Sequence, residues 1–116
     1  MTNDQPVREL SDADRLIHEP GRLAILTVLN SCHSADFVFL RSATKLSQGS
    51  LSQHLTKLEA ARLITIEKSF RNKRPRTVAQ LTDGGRQALD EYWRRLEEWR
   101  QSAAGWWPQL EPVPQE

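Results

Sequence analysis

Two short runs rich in β-branched residues, Leu63-Ile64-Thr65-Ile66-Glu67-Lys68 and Thr77-Val78-Ala79-Gln80-Leu81, interrupt a chain whose other apolar residues recur at three- and four-residue spacing. Two adjacent strands can make one antiparallel hairpin but no large sheet. Helices must therefore carry most of the core, so the expected class is mainly α with a small β-hairpin (α+β). The chain has 116 residues, a length suited to one domain, and 27 of them are Leu, Ile, Val or Phe, enough to bury a modest core. Between the two runs lies Ser69-Phe70-Arg71-Asn72-Lys73-Arg74-Pro75-Arg76, read as a connector with the cations Arg71, Lys73, Arg74 and Arg76 at the hairpin tip.

The helical segments announce themselves by caps and periodicity. Ser11 can cap a short helix with Asp12 and Asp14 in its first turn, where the helix dipole favours acids, and with Leu16 and Ile17 toward the core. Pro20 suits the start of a second helix, in which Leu23, Leu26 and Leu29 recur through about Asn30. A polar connection, Asn30 to Ser34, leads to a third short helix in which Phe37, Leu40 and Ala43 share a face. After the turn Lys45-Leu46-Ser47, Ser47 can cap a fourth helix running from Gln48 to about Arg62. Thr82 can cap the last, in which the pair Gly84-Gly85 weakens the start and Leu89, Tyr92, Leu96, Trp99, Ala103 and Trp106 form one apolar seam. The expected division is a tail at 1–10, a folded domain at 11–82, a C-terminal helix at 83–107 and a second tail at 108–116.

Charge is distributed in blocks. The net charge is only +1, but residues 1–40 carry −3, residues 41–86 carry +7 and residues 87–116 carry −3. Local field rather than net charge attracts phosphate, so a basic block between acidic segments is suited to a polyanion. No apolar run approaches a membrane span and the N-terminus lacks a signal peptide's apolar stretch, so a soluble, cytoplasmic protein is expected. The single cysteine, Cys32, excludes an internal disulfide, and no Ser-His-Asp, paired-carboxylate or phosphate-loop arrangement argues for an enzyme. Neither a cofactor nor a metal is expected.

The fourth helix has an unusual outer face. Leu51, Leu55 and Leu58 fall on one side; Gly49, Gln53, Thr56 and Ala60 fall opposite, flanked by Ser50, Ser52 and Lys57. A merely solvated face would be filled with Glu, Lys and Arg. Small and amide side chains instead permit close approach and can hydrogen-bond base edges. His54, at the edge of the apolar side, reads as a packing and hydrogen-bonding residue.

A helix, a short helix, a three-residue turn, a helix with a polar outer face and a basic hairpin make a helix-turn-helix with a wing. The stretch Leu51-Ser52-Gln53-His54-Leu55-Thr56-Lys57-Leu58-Glu59-Ala60-Ala61-Arg62-Leu63-Ile64 resembles the S-x-H-L-x-x-L-x-x-A-G-L-V/I signature of winged-helix regulators of the MarR and ArsR type. Pro20-Gly21-Arg22-Leu23-Ala24-Ile25-Leu26 is similar to their P-x-R-x-x-I-L opening, and Leu81-Thr82-Asp83-Gly84-Gly85-Arg86 to the L-T-x-x-G-R that follows the wing. The likeness spans about residues 16–100. Ala61 is read as replacing the glycine that often precedes the strand, and the paired-cysteine metal motif of many ArsR proteins is missing.

The resemblance implies a prokaryotic, sequence-specific regulator of transcription, a repressor, that binds double-stranded DNA. Lys45, Ser47, Gln48, Ser50, Ser52, Gln53, Thr56 and Lys57 would form the recognition surface, and Arg71, Lys73, Arg74 and Arg76 the wing contacts. The C-terminal seam, Leu89, Tyr92, Trp93, Leu96, Trp99, Ala103 and Trp106, would pair with its own copy, giving a homodimer and a pseudo-palindromic operator. An alternative is a protein-interaction module docking through that aromatic helix. A further option is a small apolar effector, of no identity the chain reveals, held between Trp93 or Trp99 and the core.

Overall fold

The computed structural model describes residues 9–106, with side chains through Ala104. Residues 1–8 of the expected tail at 1–10, the expected tail at 108–116, and Trp107 lie outside the described residues. Elements follow in the order α1 (Asp12–Ile17), α2 (Pro20–Cys32), β1 (Ser34–Asp36), α3 (Phe37–Thr44), α4 (Gln48–Ala60), β2 (Ile64–Arg71), β3 (Arg74–Leu81) and α5 (Asp83–Trp106).

Each helix starts at a side-chain cap. Ser11 and Asp14 exchange reciprocal hydrogen bonds at the head of α1, Glu19 accepts from Gly21 and Arg22 at the head of α2, Asp36 from Phe39 at α3, and Ser47 from Ser50 at α4. The apolar faces converge on one core, with Ile17, Ile25, Leu26, Leu29, Leu40, Leu51, Leu58, Ile64 and Leu89 at 0 or 1% exposure. Ala43, expected to share a face with Phe37 and Leu40, is exposed, while Leu40 is buried and Phe37 half-buried.

The sheet is larger than the sequence reading had it. β1 lies where the sequence shows only the end of a polar connection and the approach to α3; it pairs antiparallel with β3, Ser34 opposite Gln80 and Asp36 opposite Val78, giving the order β1-β3-β2. Three residues with no run of β-branched side chains carry no strand signal of their own. The hairpin connector shrinks correspondingly: β2 and β3 stay in register out to Arg71 opposite Arg74, leaving only Asn72 and Lys73 as the turn. Their φ values, 53° and 67°, are both positive, the condition for the type I′ turn whose twist matches the strands.

The exit from α4 corrects a second expectation. Ala61 has an ordinary φ of −83°, and the left-handed residue is Arg62, at 63°. Arg62 N–H donates to the Glu59 carbonyl and Leu63 N–H to the Leu58 carbonyl, a left-handed C-terminal cap in which Leu63 also packs near Leu58. The family glycine therefore aligns with Arg62. Replacing Arg62 by glycine removes a Cβ from this conformation and is expected to raise stability by about 1 kcal/mol in urea unfolding.

Two joints hold α5. The Thr82 N–H donates to the Leu63 carbonyl at 3.0 Å and its hydroxyl to the Arg62 carbonyl at 2.8 Å, while Gly85 N–H donates to the Thr82 hydroxyl at 2.8 Å. Further along, α1 lies on α5: Arg95 Nε is 3.2 Å from the buried Asp14 carboxylate, His18 Nδ1 is 2.8 Å from the Tyr92 hydroxyl, and the His18 and Trp99 rings meet edge-on at 6.5 Å. Burial, and then the Asp14 charge, push the Tyr92 phenol pKa above its usual value.

This packing divides the C-terminal seam. Leu89 and Tyr92, expected to face a partner, are 1% and 2% exposed inside the chain's own core and are unavailable to a second molecule. Leu96 and Trp99 are half-buried, Trp93 is 46% exposed, and Ala103 is exposed. The Trp106 side chain lies outside the described residues. Among the described residues, no helix is long and apolar enough to cross a membrane.

Candidate nucleic-acid interface

α3, the turn Lys45-Leu46-Ser47 and α4 form the helix-turn-helix. Lys45 makes the turn possible by adopting a left-handed φ of 62°, and Ser47 then opens α4 in extended conformation with its hydroxyl accepting from Ser50 N–H at 3.1 Å. Leu51, Leu55 and Leu58 anchor the inner side of α4. That anchoring leaves Gln48, Ser52, Gln53, Thr56 and Lys57 exposed and Ser50 half-buried, as the helical spacing requires. The Thr56 hydroxyl donates to the Ser52 carbonyl at 2.9 Å. Gly49 faces open space, so nothing in the fold itself demands a glycine there.

A polar joint fixes the tilt of α4 against α2. His54 Nε2 is 3.3 Å from the Glu19 carboxylate and its Nδ1 is 3.3 Å from Arg22 Nη1; Arg22 Nε also donates to the Leu16 carbonyl. Burial alone would raise the Glu19 pKa, but hydrogen bonds from the Gly21 and Arg22 N–H groups, and after them the neighbouring His54 and Arg22 side chains, outweigh it and hold it below the usual value. A Cβ on Gly21 would stand 2.8 Å from His54 Nε2, so the glycine keeps room for this joint. His54 thus takes the packing and hydrogen-bonding part its position at the edge of the apolar side suggests.

The wing stands beside α4. Ser52, Leu55, Thr56 and Glu59 face Ile66, Lys68 and Thr77 across a cleft of about 180 Å³. Toward the N-terminus of α4, Gln48 and Ser52 share a groove with Val38, Pro75, Arg76 and Thr77. The four wing cations part company here. Arg71, Lys73 and Arg74 are exposed at the hairpin tip and, among the described residues, have no ion pair, whereas Arg76 is half-buried with Nε 3.7 Å from Asp36. Asp36 also caps α3, so Arg76 is a strut between wing and helix-turn-helix as much as a free cation.

Two cations outside the expected set join this surface. Arg41 lines the α3–turn–α4 face together with Lys45, Ser47 and Gln48, and Lys68 lines the wing cleft. Strand alternation from Ile64 and Ile66 would have placed Lys68 there.

The arrangement is that of a known family. A family model described as a winged helix DNA-binding domain matches residues 22–99. An uncharacterised protein of Methanocaldococcus jannaschii is 32% identical over 78 residues, covering 67% of this chain and 85% of the relative. Among solved structures, a transcriptional regulator homologue from Pyrococcus horikoshii is 27% identical with a TM-score of 0.71, covering 77% of this chain and 88% of that one. A MarR-family regulator from Silicibacter pomeroyi, 22% identical, shares the fold with a TM-score of 0.58 over 84% of this chain and 63% of its own. With its helix-turn-helix, its cationic wing closed by a two-residue turn and a match across the whole of that unit, the chain belongs to the winged helix DNA-binding domain family.

Proposed function

We propose that the protein binds a pseudo-palindromic DNA operator as a homodimer and represses transcription there. The observation that carries this reading is the pairing of the exposed tip cations Arg71, Lys73 and Arg74, without an ion pair among the described residues, with the largely uncharged outer face of α4 on one side of the fold. Gln48, Ser50, Ser52 and Gln53 would meet base edges in the major groove, with Thr56 alongside them. Lys45, Ser47 and Lys57 would contact backbone, and the wing would reach the neighbouring phosphates. Like charges crowded at a hairpin tip repel one another, and a polyanion relieves that repulsion.

Self-association is supported by α5. Its 24 residues span about 36 Å, and beyond Tyr92 it carries Trp93, Leu96, Trp99 and Ala103, wholly or partly uncovered by the chain itself. A two-fold pairing through these residues would set two α4 helices about 34 Å apart, one turn of DNA.

Selection of duplexes from a random pool tests this directly. Enriched sequences should contain two inverted half-sites with centres about 10 base pairs apart. Enrichment of nothing, together with a monomer in sedimentation, would instead favour the protein-interaction module.

A further inference from the structure

Phe70 is 77% exposed in the most cationic stretch of the chain. Its direction follows from the ladder. Ile64, Ile66, Lys68 and Phe70 share one face of β2, opposite Leu81, Ala79, Thr77 and Pro75 of β3. The inner end of that face is core, and its middle, Ile66, Lys68 and Thr77, borders the cleft against α4. Phe70 and Pro75 continue it outward, about 13 Å beyond Ile66 at 3.3 Å per residue. Arg71 and Arg74 belong to the other face.

The turn explains why proline is tolerated there. In a two-residue hairpin the pair next to the turn, Arg71 with Arg74, is the hydrogen-bonded one. Phe70 with Pro75 is then a non-hydrogen-bonded pair, so Pro75 gives up no bond to β2 and the two rings form one apolar patch.

Among the described residues, no ion pair engages Lys68, Arg71, Lys73 or Arg74 around this patch. An apolar protein partner would desolvate those cations without repaying them. A duplex groove suits both features, because phosphates line its ridges while deoxyribose and base edges lie between them.

We infer that Phe70, backed by Pro75, packs against the deoxyribose and base edges of the minor groove next to the major groove read by α4, with Arg71, Lys73 and Arg74 on the flanking phosphates. This rests on the duplex-binding reading and adds a contact that owes nothing to counterion release.

The test compares the wild-type protein with Phe70→Ala on a duplex recovered by selection from a random pool, across a salt series. Phe70→Ala should weaken binding about tenfold at every salt concentration, with the slope of log affinity against log salt unchanged. Its melting temperature should match the wild type, since the side chain is exposed. Phe70→Leu should recover part of the affinity. Equal binding by Phe70→Ala overturns this contact while leaving duplex binding intact, and so does a loss accompanied by a shallower slope. Equal DNA binding with lost self-association assigns Phe70 to a protein contact instead. No duplex bound by the wild type removes the parent reading and this one with it.

Discussion

Gly85→Ala is expected to destabilise the protein by about 3 kcal/mol or more, read as a lowered urea midpoint at unchanged m-value. A Cβ at this buried position would stand 2.0 Å from the Leu63 carbonyl oxygen and 2.9 Å from a Leu81 methyl. The oxygen is held in place by the Thr82 N–H, which donates to it at 3.0 Å. The first turn of α5 would have to lift off the α4–β2 corner, and the helix preference of alanine returns only about 1 kcal/mol. Gly84→Ala is the control: its nearest neighbour is the Thr82 hydroxyl oxygen at 3.8 Å, so alanine there should be neutral or stabilising by up to about 1 kcal/mol.

Asp14→Ala is expected to cost about 3 kcal/mol, lowering the melting temperature by more than 10 °C for a domain of this size. Asp14 is 2% exposed, and its Oδ2 accepts from Arg95 Nε at 3.2 Å and from Ser11 N–H at 3.1 Å. Removing it takes from the largely buried Arg95 guanidinium its buried partner, leaving it only the more exposed Glu98 at 3.7 Å, and opens the cap of α1 in one step. The double variant Asp14→Ala with Arg95→Met should therefore be less destabilised than the sum of the two single changes. Additive losses would mean that the pair does not couple α1 to α5.

These joints also mark where sequence reasoning stops. Helix positions were legible because caps and periodicity act over three or four residues: Ser11, Pro20, Ser47 and Thr82 each stand where a helix begins. The outer face of α4 was legible for the same reason. β1 was not, since a three-residue strand exists only because β3 offers it an edge. The strand ends were missed because Arg71, Arg74 and Pro75 lack strand propensity; the tight turn at Asn72 and Lys73 holds them in register instead. Gly84 and Gly85 look alike in sequence, and only the carbonyl of Leu63, 22 residues upstream of Gly85, tells them apart.

The site was legible by composition more than by geometry. Clustered cations pointed to the wing, yet nothing local distinguishes Arg76, paired with Asp36, from Arg71 and Arg74, which have no ion pair among the described residues. The seam on α5 was correct as an apolar stripe and wrong as a single surface. A helical period records which residues are apolar but not which neighbour covers them, and α1 with the core takes Leu89 and Tyr92.

The salt dependence of duplex affinity, for the wild type and for the triple variant Arg71→Ala, Lys73→Ala and Arg74→Ala, tests the central claim most directly. Each phosphate contact contributes about −0.9 to the slope of log affinity against log salt. The wild type should show a steep negative slope, and the triple variant a slope shallower by about 2 to 3 with at least tenfold weaker binding at low salt. A flat response in the wild type, unmoved by the three substitutions, would contradict DNA binding through this wing.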